Sequence, residues 1–406
     1  MRVKVCSVLA AGKICTALLG VVPIALIAPA RDMAFSQTGT GTVAQAPLFT
    51  AIDLTPSGST SSFARGISGG RIVGGGDKGA WLWNGSPDMV DLLYPGGAAE
   101  AISGGEEVGW AQIGDRWHAL LWHGSAESMV DLNPGGFSDA KALGTSGGEQ
   151  VGTGLQINRD WHALLWRGSA ASAVDLHPSG FEFSQASAVS GGQQVGWGAP
   201  TQNTEHALLW RGSATSVVDL NPPGYDYSAA AGTSGEQQVG WGDGRATGGL
   251  THALLWRGSA ASVVDLNPAG FDISQAHATS GGQQVGWGYS QATGRHALLW
   301  RGSAARAVDL HVFLPAAFVT STATGIDSNG DIVGYAGMSY TDSYPSHAFL
   351  WKRNVSAKPG SRLTLDPKEL KVSGTTPVEL ILTFRSQSTA RPCSNESTTP
   401  VPPPRG

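Results

Sequence analysis

Residues 264–300 read VDLNPAGFDISQAHATSGGQQVGWGYSQATGRHALLW, and recognisable versions of that stretch occur seven times in a chain of 406 residues. An Asp-Leu pair marks the copies at Asp53, Asp91, Asp131, Asp175, Asp219, Asp265 and Asp309. A Leu-Trp pair marks them again at Trp83, Trp122, Trp166, Trp210, Trp256, Trp300 and Trp351, with spacings of 39, 44, 44, 46, 44 and 51 residues. A period of that size, filling most of a chain, restricts the fold to a propeller or solenoid in which no unit buries its own apolar surface.

Turn residues cut each copy into four short segments. In the sixth these are 263–266, 274–280, 283–287 and 296–300, separated by NPAGFD, Gly281-Gly282, a polar loop and RGSAAR. Gly and Pro fall between the segments, as turns require. In the seventh copy Asn329-Gly330 is expected at a tight hairpin turn, where positive φ is needed. No segment sustains a helical period beyond about two turns, too short for a stable helix. Solenoid rungs are shorter than these units, so the expected fold is all-β, a seven-bladed β-propeller of four-stranded blades over residues 50–353.

Phase decides how such a ring would close. The first element, Ala51-Ile52-Asp53-Leu54, is the strand that follows the His-Ala-Leu-Leu-Trp segment elsewhere, and nothing equivalent follows Trp351. The N-terminal strand is therefore expected to complete the seventh blade and to remove an exposed edge. The second segment of each copy, rich in Ala, Ser, Gly and Thr, should be innermost. Alternation puts Leu254 and Trp256 on one blade face and Ala253 with Leu255 on the other.

The ends differ from the repeat. Basic Arg2 and Lys4 precede an apolar run over 14–30 that ends Ala28-Pro29-Ala30, the pattern of a secretory signal peptide over 1–30. Uncleaved, that run would be the chain's one membrane anchor. Residues 31–49 read as a linker, and 354–406 as a tail holding two alternating runs, 363–365 and 378–384, before a Pro/Ser/Thr-rich end. Two strands alone are marginal in water, so they suggest a fragment of a sandwich module. Of three cysteines, Cys6 and Cys15 lie in the leader and Cys393 in the tail, which leaves the repeats no disulfide. Formal charge is −5, and loss of Arg2, Lys4 and Lys13 with the leader makes it −8, a balance unsuited to nucleic acid.

The residues of the seventh copy carry a resemblance. Its Ile326-Asp327-Ser328-Asn329-Gly330-Asp331-Ile332-Val333-Gly334-Tyr335, followed by His347-Ala348-Phe349-Leu350-Trp351, is similar to the bacterial extracellular HAF repeats, named for the His-Ala-Phe triplet. Copies two to six carry His-Ala-Leu, and the first has Gly79-Ala80-Trp81. The resemblance covers residues 50–353. It implies secretion and a propeller, sometimes followed by immunoglobulin-like modules, and it brings no catalytic residue.

Candidate chemistry is sparse. Six of ten histidines hold one repeat position: His118, His162, His206, His252, His296 and His347. If the RGSA turn centres a hairpin, Asp265 lies opposite Leu254 and diagonal to His252. The same relation pairs the other histidines with Asp131, Asp175, Asp219 and Asp309, as structural polar contacts and not as a metal ring. Asp327 to Asp331 resembles a calcium loop in outline, but Ile332 and Met338 stand where an EF-hand needs Gly and Glu. No metal, cofactor or catalytic motif is expected.

The connection from each outer strand to the next inner one carries Phe137, Phe181, Phe183, Tyr225, Tyr227 and Phe271 among Asp139, Glu182, Asp226 and Asp272. It shares a blade end with the variable loops 198–204, 242–251 and 336–346. Loops on a rigid scaffold are where binding usually resides. Phe181, Phe183, Tyr225, Tyr227, Phe271, Asp226 and Asp272 are therefore candidate ligand contacts, unless the rings only plug the blade junctions. The expected function is an extracellular binding or scaffold module, monomeric and without catalysis, for a protein or glycan partner; the alternative is glycan binding or cleavage by the aromatic and acidic loops.

Overall fold

A computed structural model describes residues 3–9, 13–19, 48–93, 96–157, 160–201, 204–339, 346–354 and 380–384. The repeats form one compact unit, Pro47–Asn354. Its strands make seven antiparallel groups of four, and the groups of the fourth and fifth blades are joined into one eight-stranded sheet. The sixth blade shows the pattern: Ile273–Ser280, Gln283–Ser290, Gly294–Trp300 and the two-residue outer strand Val308–Asp309. Each blade thus repeats one meander, and the architecture is a β-propeller.

The seventh blade takes its fourth strand from the start of the chain. Phe49–Asp53 pairs antiparallel with Ser346–Arg353, placing Phe49 opposite Arg353 and Asp53 opposite Phe349. Leu54, Val333, Ala348 and Leu350 then share an apolar cluster with Ala64, Ile72, Trp81 and Trp83 of the first blade.

Every junction between neighbouring blades holds such a cluster, and alternation along the third strand builds it. Leu254 and Trp256 pack backward onto Val195, Ala207, Leu209 and Leu220. Ala253 and Leu255 pack forward with Leu298 and Trp300. The seven repeat tryptophans have no exposed area. Large rings at fixed positions therefore set the blade spacing, each burying area worth about 2–3 kcal/mol.

Polar groups secure the opposite blade end. The connection from third to fourth strand contains a short 3-10 turn, Ala260–Ser262, with the Arg257 N–H donating to Ser262 Oγ at 2.7 Å. A buried glutamine completes it: Gln238 Oε1 accepts from the Gly258 N–H at 2.7 Å, and its amide reaches Gln193 of the preceding blade at 3.3 Å. In the second blade Glu107 replaces the glutamine and meets Arg71 at 2.9 Å. Burial pushes that carboxyl up, against the pull of the Gly124 N–H and Arg71.

One expectation holds and another needs correction. Asn329-Gly330 sits in a tight hairpin turn inside the paired Ile326 and Ile332, with the Gly330 N–H donating to the Asp327 carbonyl at 3.1 Å and the Asp327 N–H to the Asp331 carbonyl at 3.0 Å. Asp327 organises it, accepting from the Asn329 and Asp331 N–H groups at 2.9 and 3.1 Å, while Gly330 takes φ +78°. The inner and second strands, however, extend beyond their expected ends, because backbone pairing continues through loop residues that carry no apolar alternation.

Outside this unit the described backbone consists of strands Val3–Leu9 and Lys13–Leu19, paired antiparallel, and Leu380–Phe384, parallel to the first. The rest of the expected leader, the linker up to Pro47, the run at 363–365 and the Pro/Ser/Thr-rich end lie outside the described residues.

Candidate functional site: the central channel and the loop face

One extra residue interrupts each innermost strand. Pairing with the second strand skips Arg65, Glu100, Leu143, Ser187, Ala231, His277 and Thr324, one per blade. A bulge of this kind re-aims a side chain. All seven line a single central cavity of about 220 Å³. The second strand makes room with glycine: a Cβ on Gly196 would sit 1.9 Å from the Gln185 carbonyl oxygen. Sequence reasoning missed this layer, although the invariable glycine of the V-G segment in every copy was its signal.

The bulged residues form a constant frame with varied contents. Arg65 Nε stands 3.5 Å from Glu100 Oε2, its guanidinium is 4.9 Å from the Phe63 ring centroid, and Glu100 Oε1 accepts from Trp110 Nε1 at 3.0 Å. Thr324 Oγ1 donates to the Ala64 carbonyl at 2.8 Å. His277 donates from Nδ1 to the Ala323 carbonyl at 3.2 Å, and its ring lies edge-on to Trp241. Burial, then the positive charge of Arg65, pushes this imidazole down to about 4.

A pH dependence follows. The neutral ring is the native form, so its stabilisation is complete above an unfolded-state pKa of about 6.5 and is lost as pH falls toward about 4. Burial depresses His177 and His311 in the same direction, each also facing a neighbouring imidazole. Urea melts at pH 7 and 4.5 should show an acid loss that His277→Gln reduces by about 2–3 kcal/mol. An unchanged acid slope in that variant would rule out the assignment.

The loop face sorts the aromatic candidates. Phe137, Phe181, Tyr225 and Phe271 are half-buried and pack on the junction clusters. They plug blade seams. Phe183 and Tyr227 open the inner strands, as Phe137 also does, and Tyr227 is 41% exposed. Asp226 and Asp272 are exposed, their N–H groups donating to the Asp243 and Tyr289 carbonyls at 2.8 Å each. The candidates do not converge on one pocket; they follow the rim.

One seam is special. A single parallel bridge sets Glu205 beside Tyr227, and Tyr227 pairs in turn with Asp243. Residues opposite one another in a sheet project to the same side, so two carboxyls flank the tyrosine. Burial, reinforced by Asp243, raises the Glu205 carboxyl; burial, reinforced by Asp226, raises that of Asp243.

The six repeat histidines meet their aspartates at 2.7 Å through Nδ1: His118 with Asp131, His162 with Asp175, His206 with Asp219, His252 with Asp265, His296 with Asp309 and His347 with Asp53. Leu254 does stand opposite Asp265. The second carboxylate oxygen of each aspartate caps the chain two residues on, as Asp265 does for the Asn267 N–H at 2.7 Å. Asp265→Ala should therefore cost about 1–2 kcal/mol in urea unfolding; a smaller cost than His252→Ala would contradict its double duty.

Beside these pairs a second relay, from a backbone N–H to a serine hydroxyl of the next blade, recurs at five seams. The Ser228 hydroxyl accepts from the Ala207 N–H and donates to Asn221 Oδ1, whose amide donates to the Tyr225 carbonyl. His177 takes the asparagine's place, accepting from Ser184 on Nδ1 and donating from Nε2 to the Phe181 carbonyl. It stacks on His162 with centroids 3.9 Å apart.

Among the described residues no group of three His, Cys, Asp or Glu side chains could hold a metal ion, and no helix is long and apolar enough to cross a membrane.

These sheets define the chain as an all-β propeller, and solved propellers resemble it. The β-propeller domain of the Trilobed protease from Pyrococcus furiosus, described as having an open velcro topology, aligns with a TM-score of 0.51 at 10% identity, covering 72% of this chain and 95% of that one. TolB from Acinetobacter baumannii aligns at 0.42 and 10% identity, covering 62% of this chain and 63% of that one. An acylaminoacyl peptidase from Pyrococcus horikoshii aligns at 0.48 and 11%, covering 79% and 56%. At such identities the likeness concerns the fold alone. No family model and no curated protein matches the chain.

Proposed function

We propose that this chain is an exported, non-catalytic binding module of the HAF-repeat type, with the leader directing secretion and the tail carrying an immunoglobulin-like remnant. Its ligand surface is the blade end formed by the second-to-third and fourth-to-first connections. One observation carries the reading. Eight large hydrophobic side chains are exposed among the described residues, and Ile157, Tyr227, Leu250, Tyr289, Val312 and Met338, six of the eight, lie on this face. Exposed apolar groups gathered on one side of a rigid scaffold mark an interaction surface. Exposed Glu182, Asp226 and Asp272 surround them, which favours an extracellular protein or envelope partner that presents basic or hydroxylated groups.

The purified protein should capture such a partner in a screen of surface proteins and glycans. Tyr227→Ser with Leu250→Ser should weaken that capture about tenfold or more. Capture indifferent to both changes would place the ligand elsewhere.

Glu205 and Asp243 favour a second reading, cleavage of a glycan. Their carboxyls, both shifted upward, flank an exposed tyrosine, and a carboxyl pair at a sugar-binding aromatic is the equipment of glycoside hydrolysis. Release of reducing ends that Glu205→Gln abolishes would establish it; a bound glycan recovered intact would exclude it.

A further inference from the structure

The channel has a chemistry independent of the loop face. Seven copies of one repeat deliver seven different side chains to the same bulge, and their order round the axis is not mixed. The sixth, seventh, first and second blades contribute His277, Thr324, Arg65 and Glu100; the third to fifth contribute Leu143, Ser187 and Ala231. One side of the cavity therefore carries both charges, and the other sets the Ser187 hydroxyl between apolar Leu143 and Ala231.

Four features narrow the ligand. The charged side pairs one cation with one anion, which disfavours a simple anion or a simple cation, since each meets a like charge. Arg65 Nε faces Glu100 Oε2 at 3.5 Å while the side chain as a whole stays 40% exposed, so a carboxylate that reaches the open part of the guanidinium gains a charge-assisted bond. His277 spends its Nδ1 proton on Ala323, which leaves Nε2 of the neutral ring as an acceptor on the channel wall. A cavity of about 220 Å³ lies below the usual range for large ligands.

We propose that the channel binds a small zwitterion with an aliphatic side chain, an α-amino acid, with its carboxylate on Arg65, its ammonium between Glu100 and His277, and its side chain toward Leu143 and Ala231. A saccharide fits less well because it is polar all round and would strand hydroxyls against Leu143 and Ala231.

Calorimetry and thermal melts of the purified full chain test this, with leucine, leucinamide, N-acetylleucine and glucose as probes. Leucine should bind and raise the melting temperature. Leucinamide, lacking the carboxylate, and N-acetylleucine, lacking the ammonium, should bind at least tenfold more weakly, and glucose should give no response. Arg65→Met should abolish the leucine response. Ala231→Phe, which fills the side away from the charges and leaves the charged side intact, should abolish it too, and it guards against misfolding of the first variant. Equal response to the three leucine compounds, a response to glucose, retention in the folded variants, or no response to millimolar leucine overturns the proposal. Tyr227→Ser should leave leucine binding unchanged, so the loop-face reading stands or falls separately.

Discussion

Removal of residues 49–54 is expected to lower the melting temperature by roughly 10 °C or more, if the chain folds at all. Three losses coincide. The seventh blade loses its outer strand and with it the pairing to Ser346–Arg353. Phe49, 4% exposed, and Leu54, fully buried, leave two different junction clusters. His347 loses Asp53, its partner at 2.7 Å. Large-to-small changes at such sites cost about 2–5 kcal/mol each. Leu54→Ala should therefore show a graded part of the effect in a circular-dichroism melt. A deletion that melts like the parent would mean that the N-terminal strand does not lace the first and last blades together.

Gly196→Ala should cost more than about 3 kcal/mol, as should the matching change at Gly152, Gly240 or Gly286. The Cβ added at Gly196 would lie 1.9 Å from the Gln185 carbonyl oxygen and 2.9 Å from Ala186 Cα, both backbone of the paired inner strand, which has no rotamer to yield. Relief requires flattening the bulge, and that withdraws Ser187 from the channel. Gly191→Ala provides the comparison. It has positive φ, +59°, with only Gly235 Cα at 3.7 Å, so it should cost about 1 kcal/mol from backbone strain alone. Equal destabilisation of the two in guanidinium unfolding would contradict close approach as the reason for the second-strand glycine.

Much of the frame was legible because it is periodic. The repeat spacing restates one constraint seven times, His-Ala-Leu-Leu-Trp and the Gly-Gly turn restate theirs in five copies each, and the register of Leu254 against Asp265 follows from a short hairpin. The RGSA connection was legible only as a turn. Its 3-10 geometry depends on the hydroxyl of Ser262 and on Gln238, a residue 20 positions from the Gly258 N–H it receives. The aromatic connections were ambiguous for a related reason. Phe271 and Tyr227 look alike in sequence, yet one lies against Leu255 and Leu266 in a seam while the other starts a strand at the rim.

Residue order alone makes this chain an array of seven β-meanders, and it specifies which segment of each is innermost and which faces of the third strand are apolar. Those properties depend on residues near one another in the chain and on alternation, which is local. Which side chains meet at the axis follows from the folded ring instead. Arg65 and Glu100 are 35 positions apart and Arg65 and His277 more than 200, and they converge because every inner strand carries one unpaired residue aimed at the same cavity. A bulge is set by how two backbones fit, and no residue announces it alone; the glycine that permits it sits on the neighbouring strand.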